Sequence, residues 1–211
     1  MPDKKGQTRH YVAPPTMHRN RQRPRRSIFV TVGTTQFDAL IEAISDPRFH
    51  AHISRTDGCG AYTSLTVQYG RGSVIPFARV NGNDTALCCD AYQFKPSLRQ
   101  DMEDADLIIS HAGAGSIMEG MELCTAANKG GGGQKKRLVV VTNAALMHGH
   151  QSELADALEE RGHLYVVRDP RELLQEDTLR RIEAFDQVPF EGGDGGKDFT
   201  ALVDDHFGFD P

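Results

Sequence analysis

Short apolar runs alternate along the chain with stretches in which apolar residues recur at helical spacing. The clearest run covers residues 27–32, is rich in β-branched side chains and ends at Gly33, a pattern typical of a buried strand. Similar runs predict strands at 65–69, 91–94, 105–110, 138–142 and 164–167. Because buried strands that alternate with helices form covered parallel sheets, we expect an α/β fold with a Rossmann-like parallel sheet and helices on both faces.

Amphipathic stretches between these runs predict the helices. From Phe37 to Ile44 apolar residues recur three and four positions apart, and Thr35 is the expected N-cap of this first helix. We expect Pro47 to end the helix and residues 46–63 to be irregular. Further helices are predicted from residue 97, over 116–124, over 150–161 and over 171–185.

Composition divides the chain into segments. Residues 1–26 contain eight lysines and arginines but one acidic residue, although the whole chain has a net charge of −5. This basic arm could contact phosphates, but its lack of apolar periodicity favours a disordered, solvated segment. Residues 27–190 form the expected folded domain, in which the Gly- and Lys-rich stretch 128–137 indicates a surface insertion. Residues 191–211 combine a Gly-rich break with an amphipathic helix that could cover this domain or a partner.

Composition also excludes several classes of protein. Hydrophobic residues make up 38% and charged residues 25% of the chain, values typical of a globular domain. No apolar run approaches the roughly 18 residues of a membrane-spanning helix, and no secretory signal pattern is found. The cysteines lack paired or metal-binding spacing, so we expect reduced thiols and a cytoplasmic protein. An acidic folded part without an aromatic and basic pattern argues against a nucleic-acid partner.

Three loops that follow strong predicted strands carry the candidate chemistry: Gly33–Thr35, His111–Ser116 and Asn143–Gln151. Ligands of parallel sheets bind beyond the carboxyl ends of the strands, so we expect the three loops to share one site. Glycines in the second loop let backbone N–H groups approach a ligand, and the following helix start favours negative charge. A phosphate or diphosphate is the expected ligand. The spacing matches neither the dinucleotide fingerprint nor a Walker loop, and a tight turn without a ligand would have the same sequence.

Several candidate side chains have more than one interpretation. Glu119 lies three residues after Ser116, a capping-box spacing, but its carboxylate could instead accept hydrogen bonds from a ribose diol. Spacing alone favours the cap. His150 and Gln151 could bind sugar hydroxyls or cap the helix that they begin. His148 and His150 have no third ligand nearby in the sequence, so we expect no metal site.

Four sequence segments occur together and in order: VTVGTTQFDALI at 30–41, FKPS at 94–97, ADLIISHAGAGS at 105–116 and HQSELA at 150–155. Together they resemble the family of soluble catalytic subunits of the UDP-N-acetylglucosamine transferase of dolichol-linked oligosaccharide assembly. That family is similar to the C-terminal, donor-binding half of glycosyltransferase family 28 enzymes. The resemblance covers residues 27–167 and implies a nucleotide-sugar-binding domain equivalent to the C-terminal lobe of a GT-B glycosyltransferase.

The resemblance also implies roles for individual residues in binding the UDP-sugar donor. The two glycine loops would hold the diphosphate, Glu119 the ribose hydroxyls, and the backbone near Phe94 and Lys95 the uracil edge. Gln151 would contact N-acetylglucosamine, although relatives commonly have an asparagine where this chain has Gly149. The implied donor-binding residues are Gly33, Thr34, Thr35, Phe94, Lys95, His111, Gly113, Ala114, Gly115, Ser116, Glu119, His150 and Gln151.

The implied reaction transfers N-acetylglucosamine from UDP-N-acetylglucosamine to the 4-hydroxyl of N-acetylglucosaminyl-diphosphodolichol, with inversion at the anomeric carbon. No cofactor or metal is expected, because a helix start and backbone amides can stabilise the charge that grows on the diphosphate. His111 is a candidate general base by residue type, but its place beside the phosphate turn favours binding or support of the donor. No base is assigned.

In the family, a separate membrane-anchored subunit supplies the acceptor lobe and recruits the soluble subunit to the cytosolic face of the endoplasmic reticulum. This sequence has neither the length for a second lobe nor an anchor, so we expect little transfer from the chain alone. Two alternatives stay open at this point. One is a stand-alone soluble UDP-sugar transferase, and the other is a non-catalytic interaction module that retains the fold.

Overall fold

Strands and helices alternate through the part of the chain that the computed structural model describes, residues 26–55, 62–77, 87–129, 135–142 and 150–190. The strands are β1 (Arg26–Thr31), β2 (Tyr62–Gln68), β3 (Cys88–Tyr92), β4 (Leu107–His111), β5 (Arg137–Val141) and β6 (Tyr165–Val167). The helices are α1 (Asp38–Ile44), α2 (Pro47–Ser54), α3 (Arg99–Asp104), α4 (Ala114–Asn128), α5 (His150–Glu160) and α6 (Glu176–Ala184), with a 3₁₀ helix at Pro170–Leu174. All six predicted strands are therefore present, with shifted ends.

The strands form one sheet in the order β3-β2-β1-β4-β5-β6, and every neighbouring pair is parallel. This confirms the predicted Rossmann-like sheet. The chain reverses its direction of travel across the sheet between β1 and β4, which are neighbours although β2 and β3 lie between them in sequence. A crevice opens at the carboxyl ends of two such strands, where ligands of open α/β sheets bind.

Side chains of successive strand residues enter two different cores. In β1, Ile28 and Val30 pack with α1, α2 and α6, whereas Phe29 packs with α3, α4 and α5 on the opposite face. In β4, Ile109 joins the first core and Ile108 the second. Each of these fully buried side chains stabilises the fold by roughly 1.5–3 kcal/mol relative to an exposed one. The sheet is therefore covered on both faces, as the apolar runs predict.

The segment 46–63, predicted to be irregular, contains α2. The Asp46 carboxylate accepts a hydrogen bond from the backbone N–H of Arg48 at 2.8 Å, and Pro47 is the first helical residue. Proline is favoured there because the first N–H groups of a helix have no intrahelical partner. The prediction that Pro47 ends a helix was therefore incomplete: it also begins the next one.

The stretch 128–137, predicted as a surface insertion, is integrated with the fold at both ends. Asn128 belongs to α4 and Arg137 begins β5. Lys136 is buried, and its ammonium donates hydrogen bonds to the carbonyl oxygens of Met102 at 2.6 Å, Glu103 at 2.8 Å and Ala105. These carbonyls end α3 and need donors. The two ends of the predicted insertion therefore belong to regular elements, and Lys136 connects this stretch to a helix distant in sequence.

The helix predicted at 171–185 is divided in two. The 3₁₀ helix ends at Leu174, Gln175 has extended backbone, and α6 begins at Glu176. Asp169 and Glu172 form a capping box at the start of the 3₁₀ helix. The basic arm before Arg26 and the predicted C-terminal amphipathic helix lie outside the described residues. Among the described helices, none combines the length and apolar character needed to cross a bilayer.

Candidate functional site

His111 joins the loops that follow β1 and β4. It is the last residue of β4, and its imidazole lies between Gly33 and Gly113. A Cβ atom at Gly33 would lie 2.7 Å from His111 Cε1, and one at Gly113 would lie 2.3 Å from His111 Nε2. Both distances are shorter than van der Waals contact allows. Glycine at both positions therefore lets the two loops close on one ring, as their places after neighbouring strands predict.

The His111 imidazole is mostly uncharged near neutral pH. Burial lowers the pKa of His111, and an interaction with the backbone of Thr31 offsets this only in part. A neutral ring adds no positive charge to the crevice, but it can donate one N–H or accept one proton. Its contacts with both glycines suit a supporting role better than a mobile catalytic one.

The first turn of α4 offers backbone donors to the crevice. Gly113 is the N-cap, and no side chain caps the helix. The Gly113 carbonyl accepts from the N–H of Ile117 at 3.0 Å, whereas the N–H groups of Ala114, Gly115 and Ser116 have no acceptor among the described residues. A Cβ atom at Gly115 would meet nothing within 4 Å, so open space lies beside it. This combination of free N–H groups and a positive helix end favours an anion.

Glu119 does not form the capping box that its spacing favours. Because α4 begins at Ala114, Ser116 is the third helical residue and cannot be the N-cap. The half-buried Glu119 has no hydrogen bond or ion pair with another described residue. It lies four residues after Gly115, hence on the same helix face, and helical side chains lean toward the N-terminus. Its carboxylate is therefore placed to reach a ligand at the helix start.

The first glycine loop is a tight turn closed by Thr35. The Thr35 hydroxyl donates to the carbonyl of Val32 at 2.8 Å, and the Thr35 N–H donates to the same oxygen at 3.2 Å. Thr34 is left exposed at the tip. The prediction that Thr35 caps the first helix was wrong, since α1 begins at Asp38 without a side-chain cap. The hydroxyl closes the loop that faces the crevice instead.

A supporting loop after β2 was missed by the sequence analysis. Gly70 has a φ of +60°, and a Cβ atom there would lie 2.4 Å from the carbonyl oxygen of Thr35. The next N–H, of Arg71, donates to that oxygen at 3.0 Å. Glycine at 70 therefore lets this loop lie directly against the first glycine loop. The pair of glycines at 70 and 72, directly after a predicted strand, was the available signal.

Asp38 holds the remainder of the supporting loop. Its carboxylate accepts hydrogen bonds from the N–H and hydroxyl of Ser73 at 2.9 and 2.8 Å, and from the N–H of Val74 at 3.2 Å. Desolvation alone would raise the pKa of Asp38, but hydrogen bonds from Gln36, Ser73 and Val74 outweigh it and lower the pKa. The first residue of α1 thus anchors a loop that follows a different strand.

Phe94 and Lys95 follow β3 at the same carboxyl edge. The Phe94 side chain is 47% exposed, which is unusual for a large apolar residue in this domain. The Lys95 ammonium donates to the Asp101 carboxylate at 2.9 Å and lies 4.0 Å from the centre of the Tyr92 ring. Because its charge is already paired, Lys95 offers a ligand its backbone more readily than its side chain.

The third predicted loop lies largely outside the described residues. His150 and Gln151 begin α5, but their side chains are not among those described. Since α5 follows β5, it begins at the same edge of the sheet as α4. In the described part of the chain, His, Cys, Asp and Glu side chains form no group of three or more that could hold a metal ion.

The parallel sheet, with its crevice between β1 and β4, the two glycine loops and the uncapped start of α4 define an α/β domain of the Rossmann-like class, in which such a crevice is the usual place for an anionic ligand. The sequence model of the glycosyltransferase family 28 C-terminal domain matches residues 27–195. The chain belongs to this family, and its fold is that of the C-terminal, GT-B-type lobe that the sequence predicts.

Individual relatives agree with this assignment. The chain is 44% identical over 140 residues to the human UDP-N-acetylglucosamine transferase subunit ALG13, a match to 66% of this chain and 11% of the human protein. The subunit of the same name from Yarrowia lipolytica is 32% identical over 142 residues, 67% of this chain and 64% of that protein. The chain thus spans about a tenth of the length of its human and mouse relatives.

A solved structure shows the same fold. The NMR solution structure of ALG13 aligns with a TM-score of 0.57 and 22% identity, covering 87% of this chain and 98% of that chain. At this level of identity the likeness concerns the fold alone. The arrangement of sheet and helices is therefore shared with a structure whose name matches that of the sequence relatives.

Proposed function

We propose that this chain is the donor-binding, catalytic subunit of a heteromeric N-acetylglucosaminyltransferase. It would move N-acetylglucosamine from UDP-N-acetylglucosamine to N-acetylglucosaminyl-diphosphodolichol, the second step of lipid-linked oligosaccharide assembly for protein N-glycosylation. Family membership and the names of its relatives support this activity. The structural observation that carries the proposal is the uncapped start of α4. The His111 ring packs between this helix start and the Gly33 loop, where the neighbouring strands β1 and β4 end.

The diphosphate of UDP suits the first turn of α4. As the bond to the sugar breaks, negative charge grows on the leaving diphosphate. The N–H groups of Ala114, Gly115 and Ser116 have no acceptor among the described residues, and open space lies beside Gly115, so they would stabilise that charge without reorganising. The exposed tip of the other glycine loop, at Thr34, would close on the same diphosphate. Preorganised amides thereby assist the departure of UDP.

The remaining contacts would orient the rest of the donor. Glu119, free of other partners in the described part of the chain, would accept hydrogen bonds from the ribose hydroxyls. The backbone beside Phe94 and Lys95 would pair with the uracil edge, and His150 and Gln151 would contact the sugar. Each contact holds the anomeric carbon in place for attack on its opposite face, which gives inversion. We assign His111 to support of the donor loops and leave the base unassigned.

The second component would be a membrane-anchored subunit that carries the acceptor lobe. The word subunit in the names of the relatives and the restriction of the matched family to a C-terminal domain support this division. Such a partner would bring the chain to the cytosolic face of the endoplasmic reticulum, where the dolichol-linked acceptor is available. We expect robust transfer only when both components are present, which separates this proposal from a stand-alone transferase.

Calorimetric titration with UDP-N-acetylglucosamine tests donor binding directly. We expect the wild-type chain to bind and Glu119→Ala to weaken binding by roughly tenfold or more, the typical value of hydrogen bonds to a charged group. The matched control is Glu122→Ala, one turn further along α4, where the side chain is exposed. Its affinity should be unchanged. A wild-type chain that binds no UDP-sugar would instead favour a non-catalytic interaction module.

A further inference from the structure

Gln68 is a buried polar residue at the carboxyl end of β2, and it contacts two of the loops at the candidate site. Its side chain is 2% exposed and makes three hydrogen bonds. The amide oxygen accepts from the Thr31 hydroxyl at 2.6 Å, and the amide nitrogen donates to the carbonyls of Gly33 and Gln93, both at 2.7 Å. Both hydrogens of the amide nitrogen are therefore used.

Thr31 completes a closed set of contacts around Gly33. Its hydroxyl oxygen accepts from the Gly33 N–H at 3.1 Å while its hydrogen goes to Gln68. Gly33 has a φ of +59°, so this peptide turns sharply just before the exposed Thr34. Both backbone polar groups of Gly33 are therefore hydrogen-bonded: its N–H donates to the Thr31 hydroxyl, and its carbonyl accepts from the Gln68 amide.

The same amide bridges two loops whose strands, β1 and β3, are separated in the sheet by β2. Gln93 directly precedes Phe94 and Lys95 after β3, whereas Gly33 follows β1, and β2 lies between them. Gln68 thus sets the spacing between the first glycine loop and the loop after β3. Its own backbone carbonyl also accepts from Val32 N–H at 3.2 Å, which anchors the amide to β1.

Stability alone does not require a polar network at this position. Burying an amide is unfavourable unless all its hydrogen bonds form, and apolar replacement of both partners is often nearly neutral. An apolar residue at the end of β2 would pack in the sheet but could not hold two loop carbonyls. The network therefore defines loop position more than it adds to the free energy of unfolding.

We propose that Gln68, supported by Thr31, is a positioning residue that holds the diphosphate-binding loop and the uracil-binding loop at the separation that UDP spans. This inference rests on the proposed function of the site. Gln68 acts through the backbone of Gly33 and Gln93 and does not itself contact the donor. Its loss should therefore weaken nucleotide binding out of proportion to its effect on stability.

The test measures UDP affinity by calorimetry and thermal stability for Gln68→Met, Thr31→Val and the double variant. Tyr62→Phe is the matched control, because Tyr62 begins the strand that Gln68 ends and donates a hydrogen bond to Glu183. Methionine has nearly the length of glutamine, so Gln68→Met keeps the packing. Thr31→Val keeps shape and removes the hydroxyl, and it decides the question if Gln68→Met does not fold.

We expect each single variant to weaken UDP binding by roughly tenfold, since small displacements of positioned groups have large effects. The double variant should lose little more than Gln68→Met, because both changes break one network. Tyr62→Phe should lower the melting temperature and leave UDP affinity unchanged. Folded Gln68→Met and Thr31→Val proteins with wild-type affinity would refute the positioning role. A wild-type chain that fails to bind UDP would instead refute the proposed function.

Discussion

The two edges of the sheet use their polar groups differently. At the amino edge, where β1 and β2 begin, polar side chains are paired with one another. At the carboxyl edge, the N–H donors at the start of α4 have no acceptor among the described residues. The Arg26 guanidinium donates to the Tyr62 hydroxyl at 2.7 Å and to the Glu183 carboxylate at 3.1 Å. Tyr62 also donates to Glu183. These side chains join β1 and β2 to α6.

This difference separates stability from ligand binding in one sheet. The polar groups at the amino edge satisfy each other and leave no donor or acceptor for a ligand. Exposed backbone donors add little to stability but give an anion a preformed site. Glycine makes this difference possible at the carboxyl edge, because a Cβ atom at Gly33 or Gly113 would collide with the His111 ring and one at Gly70 would collide with the Thr35 carbonyl.

The largest expected effect comes from alanine at a glycine of the carboxyl edge. Gly70→Ala would place a methyl group 2.4 Å from the Thr35 carbonyl at a φ of +60°. Left-handed backbone costs a non-glycine residue about 1–2 kcal/mol, and the collision should displace the first glycine loop as well. We expect lower thermal stability together with at least tenfold weaker UDP binding, measured by calorimetry.

Gly162→Ala is the control for this change. Gly162 also has a positive φ, +74°, but follows α5 at the opposite edge, where a Cβ atom would lie 3.0 Å from Val188. It should lose a similar backbone energy and retain wild-type UDP affinity. Equal losses of affinity in the two variants would contradict the division between the edges.

A purely structural effect, without any loss of UDP binding, is expected at Lys136. Lys136→Met would leave the carbonyls of Met102, Glu103 and Ala105 without their donor. A buried unsatisfied group typically costs 1–3 kcal/mol, so we expect about 3 kcal/mol less stability in urea denaturation. UDP affinity should not change, because α3 ends where β4 begins, at the amino edge of the sheet, whereas the glycine loops lie at the carboxyl edge.

The neighbouring lysine provides the control. Lys135 is exposed and pairs with exposed Asp186, so Lys135→Met should change stability by at most about 1 kcal/mol. A loss at Lys135 as large as that at Lys136 would show that charge, not satisfaction of the helix end, is what matters at this edge.

The smallest effect expected is a pH dependence from His50. This residue of α2 is buried, and its Nε2 donates to the Ile44 carbonyl at 2.8 Å. Burial lowers the pKa of His50, and the Ile44 carbonyl and Asp46 offset this only in part. Below its ordinary value of about 6.5 the unfolded chain binds a proton that the folded chain does not, so stability falls as pH decreases.

We expect the free energy of unfolding to decrease by roughly 1 kcal/mol between pH 7 and pH 5.5 in urea denaturation, a range in which His111 acts in the same direction. His50→Gln keeps a donor for Ile44 and should reduce this slope without altering UDP affinity at pH 7. An unchanged slope in that variant would assign the pH dependence to His111 at the carboxyl edge.

Local sequence patterns predicted the strands well and the caps poorly. Apolar, β-branched runs identify β1 and β4 because burial on both faces of a parallel sheet leaves few other choices. Spacing rules for caps failed at Thr35, which closes a turn, and at Ser116 and Glu119, where the helix begins two residues before Ser116. A hydroxyl near a helix start has several partners within reach, and tertiary contacts choose among them.

Supporting residues were harder to predict than loops. Gln68 and Lys136 have polar side chains in segments whose pattern predicts a strand and a surface insertion, and neither belongs to a recognisable motif. Their partners lie more than twenty residues away in sequence. Nothing in local composition indicates that such a side chain will be buried with every hydrogen bond satisfied.

The amino-acid sequence by itself determined the α/β class, the order of the strands along the chain and the glycine loops that follow β1 and β4, because apolar periodicity and glycine are local properties. The tertiary structure decided that these two loops close on His111 and that Glu119 does not form a capping box. It also decided that Gln68 joins the loop after β1 to the loop after β3. Those outcomes depend on which strands become neighbours, and the packing of two cores on one sheet sets that choice.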